Sequence, residues 1–230
     1  MDIEQYRRVQ AIAKEVHNEL GDFISPYSTE SSILKSAIDL LKEKGVTDTW
    51  YHNVPAFVLL GSRSCLSISG KDYLPSREFV GEYNLITVDL SPMIGDVWGD
   101  CARSFYVEGG VCSLNPISKE FSDGHDVQRF LHKKMKEFLT PDTKFSELYE
   151  FGNNLIQECG FKNLDFLGNL GHSIEVEPSK RRFIDKDCSQ EIGCVKFFTF
   201  EPHIKRIGGK WGFKHENIYY FDEDGAPCEF

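Results

Sequence analysis

The stretch YNLITVDLSPMIGDVWGDCARSFYV, residues 83–107, reads as two apolar strands joined across Gly95-Asp96, and it carries acids where a strand core should be apolar. Asp89 lies in Leu85-Ile86-Thr87-Val88-Asp89-Leu90, and Asp100 stands at the head of the returning run. A second hairpin has the same character. In VKFFTFE (195–201) Glu201 ends an aromatic strand, and in FKHENIYYF (213–221) Glu216 sits on the return, across a Gly208-Gly209 turn. A buried carboxylate is costly unless it is paired, hydrogen-bonded or bound to a metal. Four such acids in two hairpins therefore point to a site.

Register sharpens the point. Cross-strand partners in a symmetric hairpin have residue numbers with a constant sum. The Gly208-Gly209 turn sets that sum at 417, which puts Glu201 opposite Glu216. Asp89 and Asp100 sum to 189, which places their hairpin centre between Ile94 and Gly95 and sets the two acids face to face. Opposed side chains have Cβ atoms about 4.5–5.5 Å apart, too close for like charges without a cation between them. A pair of divalent ions about 3.5–4 Å apart is one such partner. Pro92 and Pro202 donate no hydrogen bond and disturb the ladders locally. His172, in the glycine-bounded segment Leu167–Ile174, adds an imidazole.

Outward from these hairpins the chain repeats one plan. Residues 3–20 and 29–44 show apolar positions at helical spacing, and strands AFVLLG (56–61) and CLSIS (65–69) follow before the first hairpin. Residues 117–139 and 144–159 again read as helices, ahead of the second hairpin. The expected fold is α+β: one domain over 1–230, with pseudo-repeats of about 1–115 and 116–230 and no separate N-terminal domain.

Composition bounds the function. A net charge of −10 argues against nucleic acid and anionic membranes, which need clustered Lys and Arg. The one basic run, Lys180-Arg181-Arg182, is followed by Asp185 and Asp187 and reads as a solvated turn. No window approaches a membrane span, and the start lacks the basic and apolar regions of a signal peptide. Seven cysteines, none spaced as C-x-x-C, read as reduced thiols of a cytoplasmic protein.

In their order and spacing these residues resemble the pita-bread metallopeptidases: methionine aminopeptidase, aminopeptidase P, prolidase and the related creatinase. The matching pieces are Asp89 in VDLSPMIGDVWGD, Asp100 at its end eleven residues later, His172 in GHSI, Glu201 in FEPHI and Glu216 in KHENIYYF. The resemblance covers about residues 5–222. It implies two pseudo-symmetric halves with a curved, mainly antiparallel sheet covered by helices. It also implies two divalent ions, Mn, Co, Fe or Zn, with Asp89 chelating one, Asp100 and Glu216 bridging both, and His172 and Glu201 completing the second. The implied activity is aminopeptidase hydrolysis of N-terminal peptide bonds, most of all Xaa-Pro bonds, by a metal-bridging hydroxide, with Glu201 moving the proton. The substrate is then a peptide or small amide.

The chain departs from the pattern beyond the metal set. The second histidine usual about seven residues after the first is Ser179 here, and Lys71-Asp72-Tyr73 replaces the histidine usual before the first Asp. His52 is a substitute candidate for substrate binding, whereas strand alternation is taken to turn His203 and His215 to the opposite face. Three alternatives stay open: a methionine aminopeptidase-like enzyme, a creatinase-like hydrolase of a non-peptide C–N bond, and a non-catalytic binding module on the same fold.

Overall fold

Helical periodicity near the N-terminus becomes α1 (Ile3–Leu20) and α2 (Glu30–Glu43) in the computed structural model, which describes residues 2–230. Each helix starts where a side chain takes up a free backbone N–H. Asp2 accepts from Glu4, and Thr29 and Ser32 form a reciprocal capping box. Seven short strands follow: β1 (Asp48–Thr49), β2 (Ala56–Leu60), β3 (Tyr83–Leu90), β4 (Pro92–Ile94), β5 (Val97–Trp98), β6 (Cys101–Glu108) and β7 (Val111–Ser113). A second helix pair, α3 (Lys119–Phe138) and α4 (Phe145–Glu158), precedes β8 (Phe161–Asn163), β9 (Ser173–Ile174), β10 (Phe197–Phe200), β11 (His203–Arg206), β12 (Gly212–Lys214), β13 (Asn217–Phe221) and β14 (Pro227–Glu229).

Every strand pairing among the described residues is antiparallel. The first seven strands form a four-stranded sheet β2-β3-β6-β7 and a three-stranded sheet β1-β4-β5, and the last seven form β14-β13-β10-β9 and β12-β11-β8. Each helix pair covers its own strands. Val16, Leu20, Ala37 and Leu41 pack with Val58, Ile86 and Phe105, while Leu131, Met135 and Leu148 pack with Phe198, Phe200 and Ile204. Burial of this apolar surface is the main stabilising term. No described helix is long and apolar enough to cross a membrane.

Both long hairpins break in the middle. β3 gives way to β4 at Ser91, and β10 gives way to β11 at Glu201-Pro202. On the returning strands the breaks fall at Gly99-Asp100 and at His215-Glu216. Pro92 and Pro202 stand beside two of these breaks, as a residue without an N–H should. Thus Asp100, Glu201 and Glu216 all lie where the ladder opens and a side chain need not follow the sheet's pleat.

Two expectations need correction. In the first hairpin partners sum to 191, as in Asp89↔Ala102 and Ile94↔Val97, because Gly95-Asp96 is a two-residue loop centred one residue later than the facing of the two acids required. Asp100 is therefore diagonal to Asp89, two residues along the partner strand on the same face, a spacing of about 7–8 Å between Cα atoms. In the second hairpin β10–β13 and β11–β12 both keep the sum of 417, so Glu201 and Glu216 do face each other across the break. The other correction concerns 65–69, which is not a strand. Gly61, at φ +60°, turns the chain off β2 into a 3-10 turn, Gly61–Cys65. The segment from Leu66 to Ser69 then runs on as irregular chain.

Candidate metal centre

Between the two bent hairpins lies a cavity of about 430 Å³. Asp89, Asp100, His172 and Glu201 line it, with apolar walls from Trp50, Phe57, Leu66, Phe166 and Phe183. Glu216, wholly buried, lies beside Asp100 and His172. Ligating atoms of Asp100, His172 and Glu216 lie within 4.8 Å of one another. The five residues singled out in the sequence thus converge from four strand ends and one loop. His52 also reaches the cavity, at its rim, in an exposed turn with φ +48° and its ring against Tyr51.

Local contacts fix each group. His172 N–H donates to Thr199 Oγ1 (3.0 Å), and Thr199 N–H donates to the His172 carbonyl (2.7 Å), so the loop is zipped to β10. Gly171 makes this possible, since a Cβ there would lie 2.3 Å from the Thr199 carbonyl oxygen. His172 Nδ1 lies 3.0 Å from the Ser173 carbonyl. A carbonyl only accepts, so Nδ1 carries a proton, and this fixes the ring with Nε2 toward Asp100 Oδ2 (3.3 Å) and Glu201 Oε1 (3.7 Å). On the first hairpin, buried Gln10 of α1 holds both backbone groups of Asp100. Its amide donates to the Asp100 carbonyl (2.7 Å), and its oxygen accepts the Asp100 N–H (3.1 Å). Buried Gln128 of α3 plays a similar part in the other half, donating to the carbonyls of Pro202 (2.7 Å) and Phe213 (2.8 Å). Arg103 ties the halves together by donating to the Glu216 carbonyl (2.7 Å).

The electrostatics are those of crowded acids. Burial, with Asp100 and Glu201 nearby, pushes Asp89 up to about 7 against the pull of Lys214. Burial likewise raises Asp100, and it drives Glu216 well above the ordinary glutamate value with help from Asp100, Glu201 and Asp89. For Glu201 burial acts upward too, but Lys214, His172 and Arg181 outweigh it and hold the carboxyl below its usual value. Both Glu216 oxygens are buried without a hydrogen-bond partner. Carboxylate oxygens left so, beside an imidazole nitrogen and a second carboxylate, fit a divalent cation.

Two residues important to the cavity were not expected there. Lys214 Nζ reaches into the acids, 2.5 Å from Asp89 Oδ2, 3.2 Å from Glu201 Oε2 and 3.7 Å from Glu216 Oε2. Arg181 is no solvated turn residue. Its guanidinium lies over the Trp50 ring (4.6 Å) and near Phe183 (5.6 Å), with Nη1 3.4 Å from His172 Nε2. Nothing local marks Arg181, but Lys214 was marked: it stands two residues before Glu216, hence on the same strand face. The same rule corrects His203, two residues after Glu201. It lines the cavity wall, with Nε2 2.6 Å from the Ser64 carbonyl, and burial pushes it down to about 4. His215 does turn away, into a second cavity with Arg103 and His132. Ser179 is exposed on a 3-10 turn, Pro178–Lys180, and does not line the first cavity.

Helix pairs backing two bent antiparallel sheets, with four carboxylates and an imidazole gathered between them, define the pita-bread class. The chain belongs to metallopeptidase family M24, whose profile matches residues 4–223. No curated protein matches the sequence. Among solved structures the chain is similar to an X-Pro aminopeptidase from Thermotoga maritima MSB8, at TM-score 0.81 and 19% identity over 99% of this chain and 60% of that one. It is also similar to prolidase from Pyrococcus furiosus (TM-score 0.80, 18% identity, 99% and 62%) and to an Xaa-Pro dipeptidase from Bacillus anthracis (0.79, 17%, 99% and 59%). The chain spans about three fifths of the length of these relatives. At this identity the likeness establishes the shared fold.

Proposed function

We propose that this chain is a metal-dependent aminopeptidase acting on Xaa-Pro peptide bonds, with Asp89, Asp100, His172, Glu201 and Glu216 as its metal ligands. The observation that carries the reading is Glu216: a wholly buried carboxyl whose oxygens lack hydrogen-bond partners, beside Asp100 and the ring of His172. Five ligands suffice for a pair of Mn, Co, Fe or Zn ions, the number the resemblance implies, provided that Lys214 leaves. We take the two halves, about 1–115 and 116–230, as pseudo-repeats of one catalytic unit.

Bound ions would supply an activated water and polarise the scissile carbonyl. The protein's own groups would do the rest. Glu201, whose ionised form Arg181 favours, takes the proton from the attacking water and passes it to the leaving amine. Arg181, clamped by Trp50, presents a fixed cation to a substrate carbonyl or carboxylate. The apolar wall accepts a proline ring and keeps the local dielectric low. His52, at the rim, is placed for the substrate's outer end.

The test is elemental analysis of protein reconstituted with Mn, Co or Zn, paired with Xaa-Pro and Met-Ala peptide assays. Metal uptake with Xaa-Pro cleavage supports the proposal, and cleavage of Met-Ala alone shifts it to the methionine aminopeptidase-like branch. A second reading, hydrolysis of a non-peptide C–N bond, draws on the two histidines missing from the pattern, at Ser179, which is exposed, and at Lys71-Asp72-Tyr73. It gains if the metal-loaded protein cleaves no peptide in a library.

A further inference from the structure

Lys214 occupies the acid cluster as a cation would. Three carboxylates surround its Nζ within 3.7 Å, and it leans hardest on Asp89, at 2.5 Å. Its side chain keeps 18% of its exposure, so it comes from the sheet floor and not from solvent. The compact ligand triad, Asp100, His172 and Glu216, leaves Asp89 out. Asp89 is thus already paired to a protein cation, where the resemblance would have it chelate an ion.

Charge points the same way. Asp89, Asp100, Glu201 and Glu216 bring four negative charges once a metal has displaced their protons. Lys214 and Arg181 bring two positive ones on fixed side chains, which leaves an excess equal to one divalent ion. Two ions beside both side chains would leave two positive charges uncompensated in a low-dielectric cavity. Lys214 is also held from behind. Its N–H donates to Ser104 Oγ (2.9 Å), its carbonyl accepts from the same hydroxyl (3.1 Å), and its strand is paired to β11 at His203.

We propose that the Lys214 ammonium stands in for the second metal ion, so that the enzyme holds one divalent ion, at Asp100, His172, Glu201 and Glu216. This rests on the metal-site reading above and revises its count and the role of Asp89. A second ion binds by displacing Lys214 from Asp89, and so only weakly.

The experiment is a titration of metal-free protein with Mn2+, followed by calorimetry and by electron paramagnetic resonance. The wild type is expected to take one tight ion and to show an isolated Mn2+ spectrum. Lys214→Met, which keeps the volume and removes the charge, is expected to take two, with an exchange-coupled spectrum. Asp89→Asn is expected to shift the affinity of the first ion less than tenfold, whereas Asp100→Asn weakens it at least a hundredfold. Two tight, coupled ions in the wild type would overturn the role of Lys214 and leave the metal site intact. No bound ion in the wild type would overturn the site itself. The wild-type result decides the matter even where a variant fails to fold.

Discussion

Gln10 is far from any ligand in sequence, yet replacing it with methionine should damage both stability and the metal centre. The side chain is wholly buried and makes two hydrogen bonds, one to each backbone group of Asp100. Methionine fills nearly the same volume, so the packing loss is small. What is lost is the partner of a buried N–H and of a buried C=O. Each such orphan costs about 1–3 kcal/mol, or roughly 2–6 kcal/mol for the pair. A chain of this size shifts by about 2–4 °C per kcal/mol, so a mid-range loss lowers Tm by roughly 8–16 °C. Freed from its clamp, Asp100 loses orientation, and the loss of such an outer partner typically weakens metal binding about 10–100-fold. Urea unfolding of the metal-free protein reads the first effect and competitive metal titration the second. Gln157→Met, on the exposed face of α4, serves as control and should stay within about 0.5 kcal/mol. If Gln10→Met costs less than about 0.5 kcal/mol and leaves metal affinity unchanged, the reasoning is wrong.

Other expectations follow from the same geometry. Glu216→Gln should abolish metal-dependent turnover while making the metal-free protein more stable, by on the order of 1–3 kcal/mol, because it removes a buried carboxyl whose ionisation is opposed by burial and by the neighbouring acids, and which has no hydrogen-bond partner; equal or lower stability of the metal-free variant in urea would count against this. Arg181→Met should raise KM about 10–100-fold with a smaller change in kcat, the size of a lost hydrogen bond to a charged group. His17 is held neutral by burial, which pushes it down to about 3, while its ring donates to the Cys101 carbonyl. The unfolded imidazole takes up its proton near pH 6.5, so the unfolded state gains protons as pH falls below that value, and stability present at pH 7.5 drains away by about 2 kcal/mol at pH 5. Unfolding free energies at the two pH values, compared between wild type and His17→Gln, should show a flatter dependence in the variant.

Much of this protein is decided locally, and its sequence determines that part. Helix ends at Leu20 and Glu43 follow from apolar periodicity and from the residues that stop it, and the second hairpin's register follows from the symmetry of its Gly208-Gly209 turn. The four acids of the candidate site were legible because a carboxylate inside an apolar strand violates a local rule, whereas His172, in a glycine-bounded loop, was picked out by the resemblance. Lys214 and His203 were legible by the same logic, since residues two apart share a strand face, although His203 was assigned to the wrong side. The first hairpin's register was settled by the two-residue turn at Gly95-Asp96, against the facing of Asp89 and Asp100 that their shared charge suggested. Only the tertiary structure could show that Gln10 clamps Asp100 across ninety positions, that Gln128 reaches Pro202 and Phe213, and that Arg181 is drawn into the cavity by Trp50. Those contacts join elements with no sequence relation, and their partners are fixed by how helices and loops pack over the sheets, which no local pattern records.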